Sequence, residues 1–74
     1  MTDSRPFDTL SDAVGSNVMV QHKTGKVYTG TLKSFDKHIN LVLEQAEEQS
    51  NGETQRQLGT VFLRGDTVSF ITLQ

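Results

Sequence analysis

Asp36, His38 and Asn40 fall close together in the chain, and Arg64, Gly65 and Asp66 form a second short cluster further on. Each type suits a distinct task. Imidazole offers a flat ring on which a nucleobase can stack. The Asn40 carboxamide carries a donor and an acceptor side by side, which matches the hydrogen-bonding edge of a base. A guanidinium is planar, stacks on rings and donates in a fork. Asp36 and Asp66 can accept hydrogen bonds that orient their neighbours. If the two clusters meet at one end of the fold, a base fits between His38 and Arg64 while Asn40 reads its edge.

Other chemistry finds less support. An Asp–His pair could belong to a catalytic or metal constellation. No serine or cysteine stands beside it as an activated nucleophile, and no third metal ligand has a sensible spacing. There is no cysteine, and His22 and His38 are the only histidines, so a zinc site is poorly served. The expectation is a non-enzyme without cofactor or metal. Locally, Asn40 could instead bond its own turn backbone, and Arg64 with Asp66 could be an exposed ion pair worth ~0–1 kcal/mol. Lys23, Lys26, Lys33 and Lys37 read as solvated charges, Glu44, Glu47 and Glu48 as a soluble rim, and His22 as a surface strand residue. Tyr28 and Phe62 read as barrel or interface packing.

The formal net charge of −2 excludes the broad basic surface that grips duplex phosphates. Binding to nucleic acid would therefore rest on a local site. The 74 residues allow one domain with a modest core. Without disulfides or a metal, oligomerisation is the remaining common way to reinforce so small a domain. No apolar run approaches the ~20 residues of a membrane span, and the opening residues lead into no signal-peptide core. A cytoplasmic protein is expected.

The elements that must position these clusters are short. Pro6 opens a helical pattern over 6–14, with Phe7, Leu10, Ala13 and Val14 on one stripe and Gly15 as its C-terminal cap. From Asn17 the period changes to two. Strands are expected over 17–23, 27–35, from Ile39 through 49, over 54–63 and over 67–73, with a hairpin tip at 50–53. Gly30, in the middle of the second strand, predicts a sharp bend or a close backbone approach. In an extended run through 38–40, Ile39 would face the core while His38 and Asn40 face away. One short helix and five antiparallel strands predict a mainly β fold, a strongly bent small barrel of SH3-like or OB-like type. Periodicity does not choose between the two.

The chain resembles the Sm/Sm-like family. The run from Gly15 to Leu43, with Gly25, Gly30, Leu32, Asp36, His38 and Asn40, is similar to the first Sm motif, and Leu58 to Ile71, through Arg64-Gly65-Asp66, to the second. Arg5-Pro6-Phe7-Asp8 is similar to the start of archaeal members. The resemblance implies a single Sm domain, with the first motif in 15–49 and the second in 54–73. It also implies a ring, most often a heptamer, in which the fourth strand of one subunit pairs with the fifth of the next. Its implied ligand is single-stranded, uridine-rich RNA, held by His38, Asn40, Arg64 and Asp66 with Asp36 in support. Other RNA-processing proteins are implied partners. Arg5 and Phe35 match a second RNA contact on the helix face. The tyrosine–lysine–histidine cluster of bacterial hexameric relatives is replaced here by Leu63-Arg64-Gly65-Asp66. The competing expectation is a ring that acts as a protein-interaction scaffold with little RNA affinity.

Overall fold

The computed structural model describes residues 6–50 and 52–73. A short helix α1 (Pro6–Asp12) precedes strands β1 (Asn17–His22), β2 (Val27–Phe35), β3 (Leu41–Ser50), β4 (Glu53–Leu63) and β5 (Val68–Leu73), with one 3-10 turn at Gly65–Thr67. The five strands form one antiparallel sheet in the order β4-β3-β2-β1-β5. Among the described residues no helix is long and apolar enough to cross a membrane.

The helix is shorter than the expected 6–14. It stops at Asp12, and Gly15 takes φ +93°, a left-handed conformation that suits glycine. The Gly15 N–H then donates to the Leu32 carbonyl at 2.8 Å, and Leu32 N–H donates back to Ser16 at 2.9 Å. These two bonds fasten the end of the helix to β2. Leu10 and Ala13 are buried, but Val14 is exposed because the chain has already left the helix.

Val18, Val20, Leu32, Leu41 and Leu43 form the closed centre of the core. They come from three neighbouring strands and alternate with outward residues, as a half-buried sheet requires. Fully burying such a side chain contributes about 1.5–3 kcal/mol.

The sheet bends at Gly30 as its position predicts. A Cβ there would come within 2.9 Å of the Glu44 carbonyl oxygen and 3.1 Å of the Ala46 Cα. Pairing between β2 and β3 slips at the same place. Next to it Gln45 has φ +53° and, one strand further, Gly59 has φ +75°. The irregularity therefore runs across β2, β3 and β4 as one crease.

The crease corrects the reading of the acidic run. After Gln45 the inward parity of β3 switches, so Ala46 and Glu48 are buried in place of odd-numbered residues. Glu48 is only 5% exposed. Its carboxylate meets Arg56 at 2.9 Å and Lys26 at 3.5 Å, which ties β4 and the β1–β2 turn to β3. The Arg56 hydrogen bond comes first among the causes that hold Glu48 below the usual glutamate range. Lys33 is likewise paired, with Glu44 at 3.3 Å.

Candidate nucleic-acid interface

The turn between β2 and β3 is built on Asp36. Its Oδ1 accepts from the backbone N–H groups of His38 at 2.9 Å and Asn40 at 3.1 Å, and its Oδ2 accepts from Asn40 Nδ2 at 2.9 Å. The Asn40 side-chain bond is the largest cause that holds the Asp36 carboxyl below its ordinary range. The two backbone N–H groups act in the same direction, and desolvation opposes them.

Ile39 takes φ +61° inside this turn, a strained conformation for a β-branched residue. The extended alternation expected at 38–40 is thus corrected: β3 begins at Leu41. Ile39 still packs partly buried against the core, while His38 and Asn40 are exposed.

The second turn carries Arg64 and Asp66. Their side chains pair at 3.2 Å in solvent, with Arg64 80% exposed. Thr67 closes the turn by donating its N–H at 3.0 Å and its hydroxyl at 2.7 Å to the Arg64 carbonyl.

The two turns are joined through Asn40. Its Oδ1 accepts the Gly65 N–H at 2.7 Å. Asp36, His38, Asn40, Arg64 and Asp66 consequently line one open groove of about 880 Å³. Phe35 lines the same groove, partly buried. Arg5 lies outside the described residues.

Asn40 does more than its residue type suggested. Both ends of its carboxamide are engaged, one by each turn. The alternative, that it bonds the backbone of its own turn, is not what the structure shows: within that turn its carboxamide bonds the Asp36 side chain.

Two further residues belong to the groove. Gly65 supplies the N–H that welds the turns. Phe62, expected as barrel or interface packing, is 78% exposed and so is no part of the barrel core; it stands in the groove wall beside its cross-strand partner Val42. The inward positions of Leu63 and Val61 place Phe62 outward, so strand parity was the signal for it.

Residues 8–73 match the LSM domain. The chain belongs to the LSM (Sm-like) family. It is 48% identical to an Sm-like protein of Archaeoglobus fulgidus over 68 residues, which cover 92% of this chain and 88% of the relative. The fold superposes on the Sm protein of Pyrococcus abyssii, solved in complex with a uridine heptamer, with a TM-score of 0.93 at 34% identity. That match covers 96% of this chain and all of the other. The heptamer of P. aerophilum SmAP1 gives 0.90 at 37% identity, over 99% of this chain and 97% of that one. As an LSM domain, the barrel carries both of its motif turns at one end, welded by Asn40 and Gly65.

Proposed function

We propose that this LSM protein assembles into a homo-oligomeric ring, most simply a heptamer, that binds single-stranded uridine-rich RNA without catalysis. It would serve as a scaffold or chaperone in RNA processing or turnover in the cytoplasm, where other RNA-processing proteins would meet it. The observation that carries the reading is the groove in which Asp36, His38, Asn40, Arg64 and Asp66 converge. His38 and Arg64 supply stacking faces, Asn40 the edge contact, and Asp36 and Asp66 the orientation. The likeness to a protein solved with a uridine heptamer supports the choice of ligand.

Two open sheet edges support the ring. Within the chain β4 and β5 lie at opposite ends of the strand order. They carry the exposed apolar residues Phe62, Phe70 and Leu73. Unpaired edges of this kind invite another strand, and pairing β4 of one subunit with β5 of the next covers both. Each base site contributes roughly 1–3 kcal/mol by stacking. Repetition around a ring turns weak sites into useful affinity despite the acidic balance.

Native mass measurement with and without oligouridine tests the assembly and its load together. The expected result is a single ring mass that shifts by one oligonucleotide. Oligouridine should bind more tightly than oligoadenine of equal length. A ring that forms but takes up neither RNA would favour the scaffold reading, because the open edges exist whether or not the groove binds.

A further inference from the structure

The crease divides the β3–β4 hairpin into two unequal halves. On the groove side Leu41 pairs with Leu63 and Leu43 with Val61, and Leu41, Leu43 and Leu63 are buried. On the far side Glu47 pairs with Gln57, Glu48 with Arg56, Gln49 with Thr54 and Ser50 with Glu53. Among the described residues of that far half, 46–50 and 53–57, only Ala46 and Glu48 are buried. Residues 53–57 are exposed throughout. Tyr28, the β2 partner of Glu48, is only partly buried. A methyl group and a carboxylate therefore stand where the groove side has leucines.

A segment that buries little apolar surface gains little from staying closed, and such segments open before the rest of a fold. What closes the far half is ionic. The Glu48 carboxylate meets Arg56 Nη2 at 2.9 Å and Lys26 Nζ at 3.5 Å, so β4 and the β1–β2 turn are fastened to β3 at one point. The burden is lopsided. The Glu48 side chain is 7% exposed, whereas Arg56 is 65% and Lys26 50% exposed. The two cations already stand largely in water and lose little on release. Glu48 is hydrated only when the hairpin parts.

A hinge lies at the base of this half. Gln45 and Gly59 take φ +53° and +75°. The register of β3 against β4 shifts on both sides of Ala46, and that of β2 against β3 shifts between Thr29 and Thr31. The strand ladder is thus irregular between the two halves, and opening of one need not carry the other with it.

We infer that the far half of the β3–β4 hairpin is a unit that opens on its own at the crease, latched shut by Glu48 between Arg56 and Lys26. The groove side, with its buried leucines and the weld between Asn40 and Gly65, stays folded meanwhile. Strand β4 can then rearrange over residues 53–57 without disturbing the base site. The inference rests on the fold of one chain and stands whether or not the groove binds RNA.

Amide hydrogen exchange on the full chain tests it, comparing only amides bonded within the sheet. Those of 46–50 and 53–57 should exchange at least about tenfold faster than those of 41–43 and 61–63. Raising chloride from about 0.1 M to 1 M screens a part-exposed latch, and should speed the far half several-fold while leaving the groove side unchanged. Glu48→Gln keeps the size and removes the charge. It should speed the far half alone by about tenfold and abolish the salt response. Glu48→Leu supplies the apolar side chain that this half lacks. Exchange there should return to the wild-type rate or below it, again without a salt response.

One common exchange rate for both halves of the wild-type hairpin overturns the separate unit. An equal gain in rate on both sides of the crease in Glu48→Gln makes the carboxylate a support of the whole barrel and overturns the latch. If Glu48→Gln does not fold, the wild-type salt series decides: a far half that exchanges at the same rate at both salt concentrations overturns the latch by itself.

Discussion

Gly65 and His38 meet backbone to backbone. A Cβ on Gly65 would collide with the His38 carbonyl oxygen, and it would also come within 3.0 Å of the Ile39 carbonyl carbon. Glycine is needed here for space, so that the second turn can lie on the first and donate its N–H to Asn40. Gly65→Ala should force the turns apart and lower stability by about 1–3 kcal/mol. It should also weaken oligouridine binding, because the groove depends on both turns. Chemical denaturation with an unchanged midpoint would show that the contact is looser than described.

Arg64 offers a cleaner probe of the groove. Its side chain is largely in solvent, where it forms an ion pair with the exposed Asp66. Arg64→Ala should change stability by no more than about 0.5 kcal/mol. Loss of a stacking face should cost roughly 1–3 kcal/mol per bound base. Fluorescence anisotropy with labelled oligouridine, read beside native mass, separates a weaker ring from a weaker site. Full affinity in Arg64→Ala would place the base elsewhere.

Acid should loosen the site from a defined direction. The folded pKa of Asp36 lies below its ordinary value, chiefly through the Asn40 side-chain bond. A depressed carboxyl pKa stabilises fully above the unfolded value, and that contribution is lost as pH falls through the folded value. Binding and thermal midpoint should therefore show no loss from this group between pH 7 and 5. The Asp36 contribution should decline below about pH 4. Glu48 shifts in the same direction through Arg56 and adds to the same loss. Asp36→Asn and Glu48→Gln, titrated separately, should each remove part of the acid dependence. A thermal midpoint whose acid branch is unchanged in both variants would contradict this assignment.

The crease at Gly30 should tolerate no side chain. Gly30→Ala brings a methyl against the Glu44 carbonyl and the Ala46 backbone. Both neighbours are main chain within a paired sheet and cannot swing aside. A loss of about 1–3 kcal/mol is expected in equilibrium unfolding. A neutral result would mean that β2 and β3 can separate at the bend without penalty.

Much of this architecture was legible because local chemistry and tertiary demand agree. Val18 and Val20 alternate in β1 and are both buried, and Gly30 bends the strand in which it stands. The failures arise where tertiary contacts override local preference. Ile39 adopts a conformation that β-branched residues avoid, held by the bonds to Asp36 and by packing on the core. Gln45 does so within the crease and thereby reverses the facing of everything after it. Glu48 reads as a rim charge unless that reversal is known. In the candidate site, residue types were informative but geometry was not. The bond between Asn40 and Gly65 links positions far apart in the chain, and no spacing rule announces it.

The two free edges of the sheet are unlike each other, one from β4 and one from β5. A contact between unlike edges joins copies head to tail, so each added copy is rotated from the last by a fixed angle. Such a chain closes only if that angle divides a full circle, and otherwise it winds into an open filament. Within the subunit, the path from one edge to the other crosses the crease marked by Gly30, Gln45 and Gly59. Under the proposed pairing of β4 with β5, copy number would be a property of curvature, written into the crease of one subunit before any second subunit arrives.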